Sequence, residues 1–423
     1  MVLQEVTLAN GVQILTEEVP HVRSAAVGLW VNVGSRDEGR EFSGISHFIE
    51  HILFKGTVGR TARQIAETLD AVGGQLNAFT TKEYTCYYAR VLDEHFDLAI
   101  DLLSDMFFNS KFDLEDIDRE RNVIIEEIKM YEDTPDELVH DIFASALWQG
   151  HALGLPIIGS AGIIATISRE ELLKFYNRHY KPGKLVVAVA GNVTHERALA
   201  KLKPILESRD GQAQRRVMVN PTPHRQVTCR EKNTEQVHLC VGTQGLSLKD
   251  EKTYVFQVIN TILGGGISSR LFQTIREQKG LVYSVYSYHS SYHDSGLFCI
   301  YAGLSKENVN EVMDLIFKEI KDIQVNGVNE EELQRAKDQL RGNLLLSLES
   351  VSTRMSRLGK SKLYLGKVIP TDEVVARINK VTAEEIQELA KNMLKPESFT
   401  LAAIGPWKDD SEIRRINEQM KSY

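Results

Sequence analysis

The segment ISREELLKFYNRHYKPGKLVVAVAGN begins at Ile167, and VTAEEIQELAKNMLKPESFTLAAIGP begins at Val381 and aligns with it without a gap. Each copy opens on an N-cap hydroxyl, Ser168 or Thr382, followed by a pair of glutamates. An amphipathic helix comes next, then Lys-Pro, a buried strand and a glycine. Ser or Thr ahead of Glu is a helix-start signal, and the proline ends the helix before the strand. A repeat this long, at this separation, predicts two halves of about 210 residues that share one fold. The polar stretch SRDGQAQRRVMVNPTPH has no sustained periodicity and reads as their linker. The expected division is an N-terminal domain over 1–208, a linker over 209–224 and a C-terminal domain over 225–423.

Each half mixes strands and helices. Strand-like runs fall near Val12–Thr16, Ala25–Val33, Tyr84–Val91 and Leu185–Ala190. Helical patterns cover Ile45–Phe54, Ala62–Val72, Phe96–Phe107, Leu114–Tyr131 and Glu170–Arg178. The second half gives strands near Val237–Val241, Val282–Tyr288, Leu297–Ala302 and Phe399–Ile404. Strands grouped with several helices predict an α+β fold: two homologous domains, each a mainly antiparallel sheet with helices packed on one side. The chain has 423 residues, 50 basic and 58 acidic, for a net charge of −8, which argues against a nucleic-acid binder. No apolar run approaches the ~18 residues of a membrane span, so no membrane partner is expected. The opening MVLQEVTLANGVQIL alternates like a strand. It has neither the basic start and apolar run of a secretion signal nor the pattern of a transit peptide. The expected compartment is the bacterial cytoplasm, with the mitochondrial matrix as alternative.

The chemistry concentrates in His47-Phe48-Ile49-Glu50-His51. On a helix, His47 and His51 project from one face and reach a single metal ion, and imidazole nitrogen suits zinc. Glu50 sits beside that face, placed to take a proton from water. This is the H-x-x-E-H pattern. A catalytic zinc needs a third protein ligand. The downstream helix ERNVIIEEI offers Glu120 and Glu127, about two turns apart on one face, with Glu126 turned away toward solvent or a salt bridge. Spacing alone leaves the choice between Glu120 and Glu127 open. Cys86, Cys229, Cys240 and Cys299 form no CxxC pair and are expected as reduced thiols. The other histidines, His140 among them, are scattered and carry no motif. Gly264-Gly265-Gly266 is not followed by Gly-Lys-Ser/Thr, so no phosphate loop is expected.

GLWVNVGSRDE, GISHFIEHILFKGT, GGQLNAFTTKEYTCYY, the ERNVIIEEI helix, FYNRHYKPGKLVVAVAGNV and GGGISSRLFQTIREQKGLVYSVYS, in this order, resemble peptidase family M16 over essentially the whole chain. Pitrilysin, insulin-degrading enzyme and mitochondrial processing peptidase belong to this family. The resemblance is greatest to its short processing-peptidase-like branch. It implies one zinc ion per chain on His47, His51 and Glu127, with Glu50 as general base and Glu120 supporting a ligand. It implies that Asn77, Ala78 and Phe79 belong to a substrate-binding edge strand, and that Arg276 and Tyr283 reach the substrate from the second domain. Gln257, Asn260 and Thr261 stand where His47, Glu50 and His51 stand in the first half, so the second half is a degenerate copy without zinc. The implied activity is zinc-dependent endopeptidase cleavage of peptides or unfolded segments inside a chamber formed by a dimer. A homodimer is the expected partner arrangement, a heterodimer the variant. A non-catalytic peptide-binding or scaffold subunit is the alternative function.

Overall fold

The structure is a computed structural model that describes residues 3–211, 216–407 and 410–422. It is an α+β fold with two sheets. The first contains β1 (Leu3–Thr7), β2 (Gln13–Glu18), β3 (Ser24–Val31), β4 (Gln75–Thr80), β5 (Thr85–Leu92) and β6 (Leu185–Gly191), in the order β1-β2-β6-β3-β5-β4. The second contains β7 (Val227–Glu231), β8 (Val237–Gly245), β9 (Val282–Ser291), β10 (Gly296–Leu304) and β11 (Thr400–Gly405), in the order β7-β11-β8-β10-β9. Dropping β1, the two sheets follow the same path. Each also has one parallel pair at the same place, β2 with β6 and β7 with β11, among otherwise antiparallel neighbours. The repeat in the sequence is therefore a repeat in topology.

The repeated helix starts are capping boxes. Ser168 accepts from the Glu171 backbone and Thr382 from the Glu385 backbone, while each glutamate side chain reaches back to its cap. This satisfies orphan donors of the first turn. The strands that follow, β6 and β11, are buried along their whole length, as central strands covered on both faces must be.

The chain forms two compact units that do not coincide with a division at 208 and 225. The first comprises Met1–Lys129, Pro156–Val217 and Leu345–Val368; the second comprises Met130–Leu155, Met218–Leu344 and Ile369–Tyr423. The reason is a reciprocal loan of helices. In each unit, the helices of its own half cover one face of the sheet. The other face is covered by a helix from the opposite half of the chain. The helix Val351–Leu365 lays Val351, Met355 and Leu358 on Trp30, Cys86 and Ala188 in the first unit. The helix Pro135–Leu147 lays Leu138, Val139, Phe143 and Leu147 on Cys240, Cys299 and Ala402 in the second. Of the expected linker, residues 212–215 lie outside the described residues. No helix among the described residues is long and apolar enough to cross a membrane.

Candidate metal centre

The helix Ile45–Ile52 carries both histidines. It starts at Gly44, whose φ of 98° is left-handed, and a Cβ there would meet the Ile158 carbonyl at 2.7 Å. The Glu38 carboxylate accepts from the Gly44 and Ser46 backbone N–H groups, both at 2.8 Å, and so serves the open amides of the helix start. Burial pushes the Glu38 carboxyl up to about 8 against those same hydrogen bonds. Phe48, Ile49 and Ile52 are fully buried and fix the rotation of the helix. His47 and His51 are left on the half-open side.

Glu127, on the helix Leu114–Glu132, meets both rings. Its Oε2 lies 3.3 Å from His47 Nε2 and 3.5 Å from His51 Nε2. A tetrahedron with metal–ligand legs near 2.05 Å has edges of about 3.3 Å. Both carboxylate–imidazole separations match that edge, the three donors lie within 4.8 Å of one another, and two imidazoles with a carboxylate are a catalytic-type zinc set. Glu120 plays a different part. Its Oε2 lies 3.1 Å from His51 Nδ1 and its Oε1 lies 2.8 Å from Lys55 Nζ. A carboxylate on Nδ1 fixes the ring and turns Nε2 toward the common point. Glu126 is exposed and paired with Lys129 at 2.7 Å. Spacing left Glu120 and Glu127 equivalent; the geometry separates them.

The charges hold one another. Burial works against a charged His47 ring, but Glu127 and Glu50 outweigh it and raise its pKa to about 9. The hydrogen bond from His47 holds Glu127 below the usual carboxylate range. Glu120 is also lowered, His51 and Lys55 overcoming its burial.

Glu50 lies with Oε2 3.8 Å from His47 Nδ1, and that oxygen accepts from the Thr80 hydroxyl at 2.5 Å. Thr80 ends β4, an edge strand of the first sheet. Asn77, Ala78 and Phe79 therefore lie on an edge whose last residue touches Glu50. Phe79 packs edge-on against Trp30, ring centroids 5.7 Å apart, and holds the strand to the core.

Arg276 and Tyr283 belong to the second unit. Arg276 lies in a π-helical segment, Phe272–Gln278, and Tyr283 on β9, the edge strand that corresponds to β4. The Arg276 guanidinium carbon is 4.8 Å from the Phe272 ring centroid and 5.9 Å from that of Tyr283. Both side chains are exposed. Gln257, Asn260 and Thr261 lie on the helix Thr253–Gly264, and Thr261 bonds the Gln257 carbonyl at 2.9 Å. Two amides and a hydroxyl are not a zinc donor set.

Two repeated α+β units, one of them with a His–His–Glu cluster beside a further glutamate, define a chain resembling zinc proteases. Residues 13–161 match the family model described as Insulinase (Peptidase family M16), and residues 166–340 match the one described as Peptidase M16 inactive domain. The chain belongs to peptidase family M16. It is 44% identical over 404 residues to the uncharacterized zinc protease YmxG of Bacillus subtilis, covering 96% of this chain and 98% of that protein. An uncharacterized zinc protease of Streptomyces coelicolor is 42% identical over 423 residues, covering 97% and 91%. A crystal structure of a peptidase M16 inactive domain from Pseudomonas fluorescens superposes with a TM-score of 0.90 at 22% identity, covering 96% of this chain and 99% of that one. A protease from Helicobacter pylori gives 0.89 at 20% identity, again covering 96% and 99%. At these identities the two solved structures speak for the fold alone.

Proposed function

We propose that this chain is a zinc-dependent endopeptidase that holds a catalytic zinc ion through His47, His51 and Glu127 and uses Glu50 as general base. The observation that carries this reading is the convergence of His47 Nε2 and His51 Nε2 on Glu127 Oε2, at 3.3 and 3.5 Å, with Glu50 beside them. When bound, zinc polarises a peptide carbonyl and makes a neighbouring water more acidic.

The remaining roles fall to the chain's own residues. Glu50 takes the proton of the attacking water and returns it to the leaving amine. Thr80 holds one Glu50 oxygen by a hydrogen bond and leaves the other for that transfer. Glu120 orients His51. The β4 edge through Asn77, Ala78 and Phe79 receives the substrate as an added strand, by main-chain hydrogen bonds that read extended shape more than sequence. Substrates are peptides or unfolded segments. Arg276 and Tyr283 donate hydrogen bonds to the developing oxyanion, supplied by the second subunit of a homodimer. The bacterial cytoplasm is the proposed compartment, the named relatives being bacterial.

The test is zinc content and cleavage of a quenched mixed-sequence peptide of about 15–20 residues, more than enough to pair along the β4 edge. Glu50→Gln is expected to keep the wild-type zinc content and to cut about 100- to 10,000-fold more slowly. His51→Ala is expected to lose one zinc and all cleavage. Zinc bound by every protein with no peptide cut by any of them would instead mark a peptide-binding subunit.

A further inference from the structure

The second unit contains another set of metal-type donors. His140 on the helix Pro135–Leu147, Cys240 on β8 and Cys299 on β10 present one nitrogen and two sulfurs, all within 4.8 Å of one another. The three come from distant parts of the sequence. Cys240 pairs across the sheet with Tyr301, and Cys299 with Gly242 on one side and Tyr288 on the other. The two cysteines are thus diagonal neighbours on one sheet face, under the helix lent by the first half of the chain. Both are fully buried and neither is in a disulfide.

The ring of His140 is oriented as a ligand's would be. Nε2 lies 3.2 Å from the Tyr286 hydroxyl, which can accept its N–H. This frees the Nδ1 lone pair, which lies 3.4 Å from Cys240 Sγ and 2.7 Å from the Tyr288 hydroxyl. In a tetrahedron with a metal–sulfur leg of about 2.3 Å and a metal–nitrogen leg of about 2.05 Å, the N···S edge is about 3.6 Å. The observed spacing is close to that edge. A hydrogen-bond acceptor on the other ring N–H is the usual support of a histidine ligand, and the Tyr286 hydroxyl can fill that part.

We propose that His140, Cys240 and Cys299 form a second metal site, for a thiophilic cation such as Zn2+, that pins the lent helix to the sheet beneath it. The Tyr288 hydroxyl lies within hydrogen-bond distance of Nδ1, at 2.7 Å. The donor types set the class of cation, since thiolate and imidazole together favour zinc over the oxygen-seeking magnesium and calcium. The diagonal placement argues against the competing use of two cysteines. Diagonal partners in an antiparallel pair stand about 7–8 Å apart, beyond the ~4.4–6.8 Å span of an unstrained disulfide. Buried sulfurs leave no approach for a substrate, so the site is structural.

The experiment uses the full-length protein, purified reduced, with zinc measured directly and cobalt(II) as spectroscopic probe. Wild type is expected to hold about two zinc ions per chain, and His51→Ala and Cys299→Ser about one each. Cobalt-loaded wild type and His51→Ala should both show thiolate-to-cobalt charge transfer, which Cys299→Ser lacks while its peptide cleavage persists. The first centre has no sulfur, so the band reports the second site whether or not the protein proves to be a peptidase. Should Cys299→Ser fail to fold, His140→Ala, at a half-buried helix position, must lose the same zinc equivalent. About one zinc in wild type with no thiolate band overturns the proposal. So does a Cys240–Cys299 disulfide recovered by mass spectrometry under air with zinc present.

Discussion

Glu120 Oε2 lies 3.1 Å from His51 Nδ1, while Glu127 Oε2 lies 3.5 Å from the same ring's Nε2. The two carboxylates of one helix thus divide the work on one imidazole, one orienting the ring and the other sharing its open corner. Removing the orienting group while keeping its shape isolates its contribution. Glu120→Gln is expected to weaken zinc binding by about 10- to 100-fold, with cleavage restored at saturating zinc. Competition with a chelator of known affinity measures it. Unchanged affinity would reduce Glu120 to a partner of Lys55.

Thr80 supports Glu50 in a similar way. Its hydroxyl donates to Glu50 Oε2 at 2.5 Å. Hydrogen bonds to charged groups contribute about 1.5–3 kcal/mol, so Thr80→Val should lower kcat by about 10- to 100-fold. Thr80→Ser should recover most of the loss. KM is expected to change less than kcat, because a β-branched valine preserves the strand.

The pH dependence of metal binding follows from His47. In the metal-free protein its pKa is raised to about 9 by Glu127 and Glu50, against its burial. Zinc takes the neutral ring, so binding must release that proton. Apparent affinity should therefore climb as pH rises toward 9 and level off above it, measured by calorimetry in buffers of different ionisation heat. The metal-free fold should respond the opposite way. A histidine whose folded pKa exceeds its unfolded value stabilises the fold fully below about 6.5, and that contribution is lost as pH rises through 9. Zinc content and metal-free stability should thus move in opposite directions between pH 6.5 and 9.

Much of this was open to reading in the sequence, and the exceptions share one cause. The capping boxes at Ser168 and Thr382 are local signals, and they announced the repeat. His47, Glu50 and His51 fall on one helix, where spacing alone sets direction. Glu120 and Glu127 share a face as well, so only the depth at which their helix docks tells which one meets Nε2. The helix Pro135–Leu147 has an apolar stripe, but nothing local says that the stripe covers β8 and β11 rather than a sheet of its own half. β4 is mostly half-exposed and carries no strong alternation, as an edge strand often does. His140, Cys240 and Cys299 meet only because the lent helix crosses the strands.

Subunit mixing tests the assignment of Arg276 to a partner's site. Glu50→Gln and Arg276→Ala should each be weak as homodimers. If Arg276 serves the other chain, an equal mixture forms heterodimers that contain one sound site, and about a quarter of the wild-type rate returns. If it serves its own chain, every site in the mixture carries one defect and nothing returns. Size measurement before and after mixing must show that subunits exchanged.

Two glycines in helices give opposite expectations and so test the helix loan. Gly359 lies in Val351–Leu365, the helix lent to the first unit, and an added Cβ there would stand 2.3 Å from Cε2 of the buried Trp30. Trp30 is already held, its Nε1–H donating to Met355 Sδ of the same helix at 3.3 Å and its ring packed against Phe79 and Tyr84 at 5.7 and 5.4 Å between centroids, and cannot yield freely. Gly342 lies in the helix Glu330–Ser347 with nothing within 4 Å of such a Cβ. On helix propensity alone, Gly→Ala stabilises either helix by about 1 kcal/mol. At Gly342 that gain should appear in full. At Gly359 the overpacking cost of about 1–3 kcal/mol should reverse it. Denaturant midpoints of the two variants, at unchanged slope, give the comparison. Stabilisation of both would mean that the lent helix does not sit on Trp30 in solution.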